Sequence, residues 1–204
     1  MAEATQRPDP GAEGATEIRW HARGGQGAKT ASTFLAESAV DAGFHAQGFP
    51  EYGPERMGAP IRAFNRVSKH PIRRNTAVTE PDIVIVLDDT LLETVDIAEG
   101  AGVDTVYVVN ADVTTDRARA ESLRKAVGDA RCYVLDANAI AVDEIGRPIP
   151  NTPMVGAMLR VTGVLPLDTV IEAMSDKLSK KLPPKVVAGN VTAMRRAFEE
   201  VTQL

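Results

Sequence analysis

The chain is poor in thiols: its 204 residues include a single cysteine, Cys132. One thiol excludes an intramolecular disulfide, and it excludes any zinc or iron–sulfur site built from several thiolates of this chain alone. Any cluster must sit on another chain. Apolar runs are short, none approaching the roughly 18 residues of a membrane span, and the first residues lack the basic-then-apolar pattern of a secretory signal. A cytoplasmic location without a membrane partner is expected. Lys and Arg total 23 against 28 Asp and Glu, a formal charge of −5 with no long basic run. That balance argues against nucleic acid as a partner. His21, His45 and His70 are scattered without metal-ligand spacing, so no metal site is expected.

What is present, 44% hydrophobic and 25% charged residues, is enough for one substantial core and too little for two comfortable domains. Residues 1–16 (MAEATQRPDPGAEGAT) have almost no large apolar side chains and read as a disordered tail. Residues 17–204 are then one domain.

Within that domain, residues 17–21 read as a strand, residues 22–27 as a glycine-rich turn and residues 28–42 as a helix, with Gly43 at its C-terminal end. Residues 44–49 form a second strand. Residues 50–60 (PEYGPERMGAP) carry three prolines, allow neither helix nor central strand, and read as a functional loop. Residues 61–67 alternate as an edge strand, followed by a basic turn at 69–75. Three β-branched runs, at 83–87, 105–109 and 132–135, have the continuous apolar character of strands buried on both faces, with helical segments between them. Residues 148–153 (PIPNTP) break the chain, and helices are expected at 154–162, 167–178 and 184–202. Strands alternating with helices imply an α/β fold: a doubly wound, mainly parallel, Rossmann-like sheet with helices on both faces.

The glycine turn is the first candidate site. Gly24, Gly25, Gln26 and Gly27 precede Ala28 and Lys29 at the start of a helix, so backbone N–H groups face a bound anion with little side-chain obstruction. A tight turn with no ligand uses the same glycines. A nicotinamide dinucleotide fits poorly, because the glycine spacing differs from Gly-x-Gly-x-x-Gly and Glu51 lies beyond a proline. Gly27-Ala28-Lys29-Thr30 nearly reproduces a P-loop, and Asp88 after residues 83–87 resembles a metal-binding strand end. Ala28 is nonetheless inserted before the lysine, which turns it by about 100° on the helix. A stand-alone nucleotide-binding ATPase or switch is the alternative this leaves.

The runs EIRWHARGGQGAKTAS, FPEYGPERMGAP with AFNRVS, EPDIVIVLDDTLL and NTPMVGA, in this order, resemble the gamma subunit of pyruvate and related 2-oxoacid:ferredoxin oxidoreductases from residue 17 to about 201. Ala22 departs from a glycine usual in that family. The resemblance implies a subunit of an enzyme that oxidatively decarboxylates a 2-oxoacid and transfers the acyl group to coenzyme A. Pyruvate is the substrate that the YGPERMGAP loop most resembles. It also implies thiamine diphosphate with Mg2+ and [4Fe-4S] clusters on partner subunits that bind the thiamine cofactor, the 2-oxoacid and the iron–sulfur centres, with ferredoxin reached through the complex. Residues 128–130 lack the Gly-Asp-Gly of a thiamine site, and no catalytic residue is expected in this chain.

The resemblance gives this chain a share of a coenzyme A site. The loop from Gly24 to Lys29 supplies backbone donors and an ammonium, Arg56 a guanidinium fork for a phosphate, and Asn151 and Asn190 side-chain amides for adenosine or pantetheine. Each has an ordinary structural role in competition. Lys29 is also a solvated helix lysine, Arg56 a partner for Glu51 or Glu55, Asn151 a helix N-cap, and Asn190 a residue within a helix. A structural subunit of an oxidoreductase that does not use coenzyme A has the same sequence pattern.

Overall fold

The computed structural model describes residues 14–51 and 57–204. Most of the expected tail, residues 1–13, and Arg56 therefore lie outside the described residues. Strand β1 (Thr16–Arg23) runs into the glycine loop and helix α1 (Ala28–Asp41). The helix ends in a Schellman motif: Gly43 takes φ 84°, its N–H donates to Val40 O, and the Phe44 N–H donates to Ala39 O. Strands β2 (His45–Pro50) and β3 (Pro60–Ser68) follow. The remaining elements are β4 (Ile83–Val86), β5 (Val106–Asn110), α2 (Arg117–Val127), β6 (Arg131–Leu135), α3 (Ala137–Ile145), α4 (Asn151–Thr162), α5 (Leu167–Ser179), α6 (Pro184–Glu200) and β7 (Thr202–Gln203).

The seven strands form one sheet in the order β2-β3-β1-β4-β5-β6-β7. Pairings β1–β4, β4–β5 and β5–β6 are parallel, while β3 and β7 run against their neighbours. The α/β expectation holds, with a mixed rather than purely parallel sheet.

Four local expectations are corrected. Residues 61–67 do not form an edge strand: β3 lies between β1 and β2, and β2 takes the edge. Alternation alone cannot tell an edge from a strand that a later hairpin arm covers. Pro153 does not delay α4 to residue 154; it occupies the first turn, where no intrahelical N–H donor is needed, so the helix begins at Asn151. The last helix stops at Glu200 because Val201 turns extended, releasing β7 onto β6. Finally, no α-helix connects β4 to β5; a short 3-10 turn (Asp89–Glu93) and irregular chain make that crossover.

The two faces of the sheet are covered unequally. One face, bearing Ile18, Trp20, Ala22, Ile85 and Val108, packs under α1, α3, α4, α5 and α6 in one apolar core. The Cβ of Ala22 is accommodated there in full burial. Asn65 is a polar hub inside this layer: it accepts from Trp20 Nε1 at 2.8 Å and donates to Ser32 O and Gln47 O, so one side chain joins β1, α1 and β2. Close approach is enforced by glycine at Gly156, where an added Cβ would stand 2.2 Å from Met194 O of α6. On the other face α2 is the one α-helix among the described residues that packs onto β4, β5 and β6, through Leu123 and Val127, beside Leu92 and Ile97 from the chain between β4 and β5.

Candidate functional site

Strand β1 delivers the chain to its C-terminal end, where open parallel sheets place their ligand crevices. Gly25 and Gly27 adopt φ 101° and 84°, a region side chains rarely enter. Gly27 is the N-cap of α1 and offers no side-chain acceptor. The first intrahelical bond is Ala31 N to Gly27 O, which leaves the N–H groups of Ala28, Lys29 and Thr30 without helical partners. The Lys29 ammonium is exposed, with no partner among the described residues.

Gln26 fixes the loop rather than projecting from it. Its Oε1 accepts from Arg23 N at 2.7 Å and its Nε2 donates to Asp88 Oδ2 at 2.7 Å. Asp88, at the end of β4, also caps the 3-10 turn by accepting from Thr90 N, and lies 3.4 Å from Arg23 Nε. Burial alone would raise its carboxyl, but hydrogen bonds from Thr90 and Gln26 and the nearby Arg23 charge hold it below the usual carboxylate range.

The end of the proline-rich loop is tied to the same place. Gly24 N donates to Ala59 O at 2.9 Å, Gly58 N to Gly24 O at 3.0 Å, and Arg23 Nη1 to Gly58 O at 3.2 Å. Glu51, at the loop's start, is held bidentately by Arg62 at 2.6 and 2.8 Å, and these hydrogen bonds lower its carboxyl.

Asn151 is brought to the glycine loop from the far end of the sequence. Pro150 takes the N-cap of α4 and Asn151 its first turn, where Asn151 Oδ1 accepts from Thr152 N at 2.9 Å. Its Nδ2 lies 2.6 Å from where a Gly27 Cβ would stand, so glycine there makes room for the amide. Asn190 sits one step back, in the middle of α6. Its Oδ1 accepts from Thr152 Oγ1 at 2.9 Å and its Nδ2 donates to Val186 O at 2.9 Å, so it braces the first turn of α4. Two helix N-termini, neither with a side-chain cap, thus converge at Gly27 and Asn151.

Sequence reasoning missed Arg23 and Met57. Arg23 carries no distinguishing spacing. Met57 lies in the loop already singled out, and its contact with Gly25 depends on how that loop folds back.

Three comparisons bear on this arrangement. The family model described as pyruvate ferredoxin/flavodoxin oxidoreductase matches residues 17–200. The chain is 48% identical to pyruvate synthase subunit PorC of Thermotoga maritima over 91% of this chain and 94% of that one. It is 43% identical to the pyruvate/ketoisovalerate oxidoreductases common subunit gamma of Pyrococcus abyssi, over 90% of this chain and 96% of that one. The crystal structure of pyruvate oxidoreductase subunit PORC from Thermotoga maritima superposes with a TM-score of 0.80 at 44% identity, covering 94% of this chain and 99% of that one.

Proposed function

Since the chain belongs to the pyruvate ferredoxin/flavodoxin oxidoreductase family and is a gamma-type subunit of a pyruvate or 2-oxoacid oxidoreductase, we propose that its share of the work is to hold coenzyme A. The substrate is a 2-oxoacid, pyruvate first among them. Thiamine diphosphate with Mg2+, on a partner subunit, supplies the decarboxylation chemistry, and [4Fe-4S] clusters on another supply the path to ferredoxin. This chain's residues bind and orient the acyl acceptor.

The observation that carries the reading is the convergence at Gly27. The N–H groups of Ala28, Lys29 and Thr30, which lack helical partners, and the Asn151 amide, for which glycine leaves room, meet at the Gly27 turn, with Lys29 carried on the same first turn of α1. Helix N-termini favour anions through their unpaired donors and dipole, and a pyrophosphate asks for such donors with a nearby cation. Asn190, through its brace on Thr152, belongs to the same proposed site, and Arg56, outside the described residues, is proposed as a second cation from the sequence resemblance alone. The near-P-loop is not favoured, because Asp88 is engaged by Gln26, Thr90 and Arg23.

The test uses the purified complex carrying Lys29→Ala and Asn151→Ala together. Losing a charged and a neutral donor should raise KM for coenzyme A by about tenfold to a hundredfold, from ~1.5–3 kcal/mol for the charged contact. The turnover number should stay within about twofold, since uniform binding is what is removed. An unchanged KM would sink the reading in favour of a structural subunit.

A further inference from the structure

We propose that Met57 is the apolar wall of the coenzyme A site, packing against the part of the ligand that adjoins its phosphates. The inference rests on the coenzyme A reading above and extends it to contacts that phosphate donors cannot make. Met57 is 87% exposed, an unusual state for a side chain that gains by burial. It nevertheless lies against the glycine loop. The backbone beside it is pinned by Gly58 N to Gly24 O and Gly24 N to Ala59 O, and its Sδ lies 2.6 Å from where a Gly25 Cβ would stand. Any side chain at position 25 would push Met57 away, so Gly25 provides both the turn and the seat.

The other large apolar side chains exposed among the described residues are Val40, Val103, Val142 and Leu182, and none belongs to the glycine loop or its anchors. Only Gln26 separates Gly25 from the N-cap Gly27, a span of at most roughly 7 Å. A ligand with phosphates on the α1 N-terminus therefore brings its neighbouring apolar groups, adenine or pantetheine, within reach of the thioether. Methionine suits that task, being unbranched, adaptable and able to make favourable sulfur–aromatic contacts.

The experiment compares Met57→Gln and Met57→Leu in the assembled complex, reading KM for coenzyme A, KM for the 2-oxoacid and turnover, with gel filtration to follow assembly. Met57→Gln is expected to raise KM for coenzyme A about tenfold and to leave the other constants unchanged. Met57→Leu should stay within about threefold of the parent. An unchanged coenzyme A KM in Met57→Gln overturns the proposal, as does loss of assembly, which would mean that a partner subunit covers Met57. If Lys29→Ala with Asn151→Ala raises that KM while Met57→Gln does not, only this inference fails. If neither does, the coenzyme A reading fails with it.

Discussion

The two faces of the sheet solve the problem of burial differently. The helical face hides Trp20 and Ile18 beneath five helices, with Asn65 fully bonded inside. On the opposite face of β1 and β3 the buried side chains include Arg19, His21 and Arg66, all 2% exposed or less, and among the described residues no helix lies over them. Their cover is irregular chain held by side chains. Arg66 pairs with Glu17 at 2.6 Å and donates to Thr76 O and Ala77 O, while Arg19 donates to His21 Nε2 and to Ile97 O. Amphipathic helices need an apolar floor. Where the floor is cationic, the chain crosses as loops whose carbonyls the cations satisfy.

Neighbours on β1 give the sharpest contrast. Trp20 and Arg19 are both almost fully buried and face opposite ways. Trp20→Ala should cost ~3–5 kcal/mol, through an unfilled cavity and the loss of its bond to Asn65. Arg19→Met should cost less, ~2 kcal/mol, because the recovered desolvation of a buried cation offsets only part of the cost of leaving His21 Nε2 and Ile97 O without their donor. Urea unfolding of both variants measures the difference. Equal costs would show that the polar face is packed as tightly as the helical one.

A second effect, of ~1.4 kcal/mol for each pH unit below about 6.5, belongs to the polar face alone. Burial first, then the Arg19 and Arg62 charges, push the His21 imidazole from its ordinary 6.5 down to about 3. As pH falls below 6.5 the unfolded chain takes up this proton and the folded one does not. Stability is therefore complete above about pH 6.5 and declines by ~1.4 kcal/mol per pH unit towards pH 3. Thermal melts between pH 7 and 5.5 isolate the slope before most carboxylates titrate. His21→Gln keeps an acceptor for Arg19 and should flatten it. A parent protein with no slope in that interval would mean that His21 is solvated.

This contrast also explains what could be read from the sequence. The apolar runs of β4, β5 and β6 and the glycine turn before α1 were legible because local pattern determines them. The helical face was legible too, since α1, α4, α5 and α6 announce their apolar stripes. The polar face was not. Nothing local marks Arg19 or Arg66 as buried, because their partners at Ile97, Thr76 and Ala77 come from irregular chain. At the candidate site, Gly24 to Lys29 and Asn151 could be named from the sequence, but that Asn151 needs Gly27 to lack a side chain is a tertiary fact. Asn190 was named from the sequence as a ligand amide, and its bonds to Thr152 and Val186 appear only once α6 lies against α4.

The smallest effect tests where the polar face ends. Arg62 bridges Glu51 and Glu99 at the rim of that face, with side-chain exposures of 35%, 39% and 67% respectively. Pairs this exposed are worth ~0–1 kcal/mol and are screened by salt. Arg62 also repels Arg19 and His21 beneath it, since its charge contributes to lowering both of their pKa values. Removing it therefore loses attraction to two carboxylates and relieves repulsion from below. Arg62→Met should shift stability by no more than about 0.5 kcal/mol at 0.1 M salt, and by less at 1 M, as read from urea midpoints. A loss above about 2 kcal/mol, insensitive to salt, would place Arg62 with Arg19 and Arg66 among the buried cations that hold the loops down, and would extend the polar core to the base of the proline-rich loop.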